Sequence, residues 1–184
     1  MAGNQLGKTI AGGAEWAYHL TGQYPDWWEG KTFDKAVQMW ASGVTGESTR
    51  DNPQRILVGP PAVKEAWGTG MVPGDALKDT TPARGTPNLL DHIVVTWGGG
   101  GDVQAGESVL SFKTYEQGRE KWQGPTLEGV WFDEEPPLDI YTEGLTRTNA
   151  TGGITQVTFT PLQGMSDVVM LFLTPEAVQE MMRR

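Results

Sequence analysis

Two stretches decide the fold: AGNQLGKT, residues 2–9, and LEGVWFDEEPP, residues 127–137. The first fits the phosphate-loop pattern GxxxxGK[ST], with Ala2 standing where the leading glycine is usual. Backbone N–H groups of Gly3, Asn4, Gln5 and Leu6 can wrap phosphate oxygens, and a following helix adds the positive end of its dipole. Gly7 permits close backbone approach, Lys8 reaches the outer phosphates, and the Thr9 hydroxyl ligates Mg²⁺. The tripeptide GK[ST] arises by chance in roughly one chain in ten of this length. Taken alone, it divides evenly between a nucleotide loop and a glycine turn that caps a helix.

The second stretch supplies what such a loop needs. Residues 127–132 form an apolar strand that stops abruptly at Asp133-Glu134-Glu135-Pro136-Pro137. One acid at a strand end can hold the metal and its neighbour can deprotonate an attacking water, so Asp133 takes the metal role and Glu134 the base role. Strand alternation would turn Glu135 away from Glu134. Acidic clusters are usually solvated turns. The joint occurrence with a phosphate loop favours the nucleotide site.

Working outward, Ile10, Gly13, Ala14, Ala17 and Leu20 fall at helical spacing and predict a helix over 10–21, with small residues that let it sit close to a sheet. Strands are expected at 35–42, 55–58, 92–97, 108–115 and 154–160, with 92–97 and 108–115 forming a hairpin around the glycine run that starts at Gly98. Short helices are expected at 62–67 and 138–147, a Gly/Pro/Thr-rich loop up to 90, and a last helix from Pro175. Alternation of strands and helices predicts an α/β layered sheet with helices on both faces.

Bulk composition narrows the partners. A length of 184 residues suits one compact domain. Lys and Arg number 14 against 23 Asp and Glu, a net charge of −9, which argues against a surface devoted to coating nucleic acid but not against a local DNA contact. There is no cysteine, and His19 and His92 lie far apart, so a thiolate or zinc centre is not expected. No apolar run reaches the ~18–20 residues that span a bilayer, and a cytoplasmic location is the default. The eight tryptophans are read as packing residues, because no aromatic run alternates with basic residues.

The loop AGNQLGKT, the block FKTYEQGREKWQGPTLEGVWFDEEPP (112–137) and TFTPLQG (158–164) together resemble the ATPase domain of phage large terminase subunits. That resemblance implies a P-loop NTPase-like fold that binds ATP and Mg²⁺ and drives double-stranded DNA into a procapsid. It also implies a portal protein, a small terminase subunit and a homo-oligomeric ring as partners, in the cytoplasm of a bacterial host. Lys8 and Thr9 would hold phosphate and metal, Asp133 the metal, and Glu134 would be the catalytic carboxylate. Thr160, Pro161 and Leu162 would sense loss of the γ-phosphate. Some terminases carry an arginine inside the loop, where this chain has Asn4 and Gln5; Arg119, with Arg147 second, is the candidate to supply that charge.

Against the family pattern the sequence starts at the loop, without the strand and adenine-binding segment ahead of it, and stops before a nuclease domain. The expectation is a core over 1–165, a tail or linker over 166–184, and weak or absent hydrolysis. A helicase-like ATPase and a prophage remnant are the alternatives.

Overall fold

The computed structural model describes residues 7–98, 105–160 and 166–172. Six strands make one sheet: β1 (Gln38–Gly43), β2 (Leu77–Pro82), β3 (Leu90–Trp97), β4 (Gly106–Thr114), β5 (Gly129–Asp133) and β6 (Ile154–Thr158). They lie side by side in the order β2-β3-β4-β1-β5-β6. The strands β4, β1, β5 and β6 are mutually parallel, and β2 and β3 complete the sheet with antiparallel pairings. The helices are α1 (Lys8–Thr21), α2 (Gly46–Thr49), α3 (Arg55–Val58), α4 (Leu138–Asn149) and α5 (Asp167–Leu171).

Strand alternation splits the apolar residues into two cores, one on each face of the sheet. Met39 and Ala41 of β1 and Trp131 of β5 pack with Trp16, Ala17 and Leu20 of α1. Trp40, Val130 and Phe132 point the other way and pack with Trp122, Ile140 and Tyr141. The layered α/β architecture with helices on both faces is therefore what folds. Trp16, Trp97, Trp122 and Trp131 are fully buried, each removing on the order of 200 Å² from water, or about 5 kcal/mol as an upper estimate.

Several local expectations need correction. Residues 55–58 are helical, not a strand. Thr45 starts a helix with a reciprocal cap: its hydroxyl accepts from the Ser48 N–H at 3.1 Å, and its own N–H donates to Ser48 Oγ at 2.9 Å. Pro53 has no N–H to give and would press on the carbonyl one turn back, so the helix widens over Arg50–Gln54, where the Arg55 N–H reaches the Arg50 carbonyl. It then regains α geometry and buries Leu57 and Val58. The strand β2 falls within the expected loop. It is a half-exposed margin strand without apolar alternation, and it ends on Pro82. Residues 62–67 contribute only a 3₁₀ turn, Lys64–Ala66.

In α1 the buried face is Gly12, Gly13, Trp16, Ala17 and Leu20, while Ile10 is 58% exposed. The helix expected from Pro175 lies outside the described residues. Residues 166–172 pack on the body through Val168, in the same core as Ile140.

Candidate functional site

The carboxyl ends of β5 and β6 meet the amino end of α1. Gly7 turns the chain into α1 at φ 74°, a left-handed conformation that favours glycine, and its carbonyl accepts the Ala11 N–H at 2.8 Å to close the first turn. Asp133 lies two residues beyond Trp131, so alternation aims it at the α1 face. There the Thr9 hydroxyl donates to Asp133 Oδ1 at 3.1 Å, across 124 residues of sequence. The helix reaches this position because Gly12 has no side chain. A Cβ there would stand 2.5 Å from Gln156 Nε2 and 3.0 Å from the Trp131 ring.

A second hydroxyl meets the same oxygen. Thr158 pairs in register with Asp133, and its hydroxyl donates to Asp133 Oδ1 at 2.8 Å. Thr158 Oγ1 also accepts from Trp131 Nε1 at 2.7 Å. An indole N–H can only donate, so the threonine proton is left for the carboxylate. Asp133 is 3% exposed. Burial pushes its carboxyl up to about 6, against the pull of the Thr158 and Thr9 hydroxyls and the positive charge of Lys8; the negative charge of Glu134 adds to the rise. Lys8 thus acts electrostatically on Asp133, and the start of α1 and the acidic strand end converge.

This donor set fits a small hard cation. The carboxyl is buried and undercompensated, and its neighbours are hydroxyl oxygens, the ligand type Mg²⁺ takes. The 3.1 Å between Thr9 Oγ1 and Asp133 Oδ1 is near the ~3.0 Å oxygen–oxygen spacing expected for Mg–O bonds of about 2.1 Å. Among the described residues no group of three or more His, Asp or Glu gathers at one point. Phosphate and water oxygens would complete such a shell, as Mg²⁺ commonly requires.

Glu134 leaves the strand at φ 68°, in the left-handed region, and is exposed. Its N–H donates to the Thr158 carbonyl at 2.9 Å, and its carbonyl accepts from the Tyr115 hydroxyl at 2.9 Å. The pleat therefore ends at Asp133, and alternation is not what separates Glu135 from Glu134. Glu135 is held instead by a hydrogen bond from the Ser166 hydroxyl.

Two of the expected site residues stand away from Asp133. The β6 threonine that reaches Asp133 is Thr158; Thr160 lies beyond the strand end, half-buried. The register decides which threonine it is: Gly129 lies opposite Ile154, which sets Asp133 beside Thr158, whereas a strand begun at Leu127 would have set it beside Thr160. Arg119 is not brought to Asp133. Its Nε and Nη2 bind Glu143 Oε1 of α4 at 2.8 and 2.7 Å, and Arg147 Nη2 lies 3.7 Å from Glu143 Oε2. The buried Glu143 carboxylate needs cationic partners, and both candidate arginines serve it. Gly3, Asn4, Gln5, Leu6, Pro161 and Leu162 lie outside the described residues.

The family profile "Terminase large subunit, T4likevirus-type, N-terminal" matches residues 1–181. The terminase large subunit of Salmonella phage P22 is 46% identical over 185 residues, covering 94% of this chain and 37% of that protein. The terminase large subunit of Enterobacteria phage LP7 is 50% identical over 50 residues, 27% of this chain and 10% of that one. The chain thus spans little more than a third of the length of the P22 relative. Among solved structures, the large terminase of a thermophilic bacteriophage superposes with a TM-score of 0.54 at 17% identity, covering 85% of this chain and 31% of that one. A second structure of that thermophilic phage terminase, in complex with ADP, gives 0.53 at 13% identity, covering 99% and 43%. At these identities the two structures speak for the fold. From its sequence, the chain belongs to the phage terminase large subunit family.

Proposed function

We propose that this chain is the Mg²⁺-dependent ATPase core of a DNA-packaging motor, coupling ATP hydrolysis to movement of double-stranded DNA into a procapsid. The observation that carries the reading is the Thr9–Asp133 contact at 3.1 Å, which joins the phosphate-loop threonine to the acidic strand end. The thermophilic phage terminase crystallised with ADP supports a nucleotide in this fold.

In this reading Lys8 and the amino end of α1 bind the β- and γ-phosphates, with residues 3–6 completing the loop. Bound Mg²⁺ supplies positive charge that neutralises the phosphate oxygens. Asp133 and Thr9 hold that ion, and Thr158 keeps the Asp133 carboxylate aimed at it. Glu134, at the exposed strand end, orients water and takes its proton. Thr160 lies two residues past the end of β6 and would pass the state of the γ-phosphate to the segment after it. Ring assembly, the portal protein and the small subunit belong to the same proposal and rest on family membership.

The test is nucleotide binding by the chain and turnover by a full-length protein that contains it, with Mg²⁺ and a fluorescent ATP analogue. Lys8→Ala and Asp133→Ala should each weaken binding roughly tenfold or more, and Glu134→Gln should bind normally while turnover is lost. Binding indifferent to both Lys8→Ala and Asp133→Ala would remove the site from these residues.

A further inference from the structure

We infer that Tyr115 is a positioning residue for Glu134: its buried hydroxyl clamps the peptide that carries the catalytic carboxylate, a role that rests on the ATPase reading above. Tyr115 opens the short turn after β4, on the face of the sheet opposite α1, and is 6% exposed. Its hydroxyl donates to the carbonyls of both Asp133 and Glu134, at 3.0 and 2.9 Å. One proton shared between two carbonyls of consecutive residues fixes the orientation of both peptides.

The ring itself has little freedom. It lies 6.0 Å from Trp122 and 6.2 Å from Phe132, centroid to centroid, and Trp122 is anchored through Nε1 to the Thr114 carbonyl at 3.2 Å. Burial raises the phenol well above its usual range, so it stays a proton donor at any working pH.

The clamp has something to oppose. Glu134 sits at φ 68°, a left-handed conformation that disfavours any residue with a Cβ. Two bonds hold it there: its N–H to the Thr158 carbonyl on β6, and its C=O from Tyr115 beyond β4. Because β4, β1, β5 and β6 are consecutive in the sheet, these anchors come from both sides of β5. Without the phenol proton, two carbonyls lose a buried donor and the Glu134 peptide is free to relax toward the β region. The carboxylate would then follow the pleat instead of standing above the strand ends. A displacement of about 1 Å in a catalytic group can lower turnover a hundredfold.

The test is Tyr115→Phe, which keeps the ring and removes only the hydroxyl. Two measurements are made: Mg-ATP binding and turnover, and amide hydrogen exchange. Affinity should stay within about threefold while turnover falls roughly tenfold or more. Exchange at the Glu134 amide should speed up about tenfold, with the Trp40 and Ala41 amides of β1 unchanged. A merely structural tyrosine would instead raise exchange across the whole sheet and leave turnover of the folded protein intact. Either that pattern, or a folded Tyr115→Phe with wild-type exchange at Glu134, overturns the inference. If the unsubstituted chain binds no Mg-ATP, the ATPase reading fails, and the exchange measurement decides the clamp by itself.

Discussion

Thr158 gives its hydroxyl proton to Asp133 at 2.8 Å because its oxygen is already occupied by the Trp131 indole N–H at 2.7 Å. This one-way chain sets a test of the site's internal wiring. Thr158→Val leaves Trp131 Nε1 buried without an acceptor, and the variant should lose about 2 kcal/mol of stability. Thr158→Ser keeps the oxygen and should fall within about 0.5 kcal/mol of wild type. Urea unfolding of the two variants decides it. Equal stability would mean that the chain of hydrogen bonds holds nothing in place.

The buried carboxyl makes a pH prediction with a definite sign. In the folded protein Asp133 titrates at about 6 in place of its ordinary value of 3.8, chiefly because burial disfavours its charge. Its contribution to stability is therefore fully present below 3.8 and is lost as pH rises through about 6. At about 1.36 kcal/mol per unit, the loss by pH 7.5 is about 3 kcal/mol. Asp133→Asn keeps an acceptor for both threonines and carries no charge. In EDTA it should be more stable than wild type by about 3 kcal/mol at about pH 7.5, with the difference shrinking to about 0.5 kcal/mol near pH 4 and vanishing below about pH 3. A stability difference independent of pH would contradict the assignment, and added Mg²⁺ should narrow it by stabilising only the wild type.

Much of this arrangement was legible before folding, because the relevant signals are local. A glycine-lysine-threonine run at a helix start and an apolar strand ending in acids each fit within a short window; the helix begins two residues earlier than expected, at Lys8, and the strand runs Gly129–Asp133. What escaped depended on distant partners or on special backbone geometry. The four residues Arg55–Val58 are too few to reveal a period, and only the Thr45–Ser48 cap ahead of them marks a helix. The strand β2 is polar because it lies at a margin of the sheet. No sequence rule places Glu134 at φ 68°, since the two bonds that hold it come from Thr158 and Tyr115. Arg119 looked available from its neighbours alone. Its partner Glu143 lies 24 residues away and is buried.

That pairing separates structure from catalysis at Arg119. Removing the guanidinium leaves Glu143 with Arg147 at 3.7 Å, so its charge keeps one partner. With Arg119 itself largely in solvent, Arg119→Ala should cost about 1 kcal/mol in urea unfolding. Turnover per folded molecule should change less than about threefold. A drop of about a hundredfold or more at unchanged nucleotide affinity would return Arg119 to the phosphoryl group and require it to leave Glu143 when nucleotide binds.

Glu134 offers a case in which stability and function should move in opposite directions. Its left-handed backbone strains any residue that has a Cβ, and glycine adopts it freely. Glu134→Gly should therefore stabilise the folded chain by about 1 kcal/mol, with relief of strain outweighing the extra freedom of glycine in the unfolded state. Glu134→Gln retains the Cβ and should match wild type in stability, because the side chain is exposed. Both variants lack the carboxylate and should lose turnover together. Thermal unfolding of the three proteins, set beside Mg-ATP turnover, separates the two effects. A glycine variant less stable than the glutamine variant would show that Glu134 is not strained where it stands, and the clamp by Tyr115 and Thr158 would then have no strain to oppose.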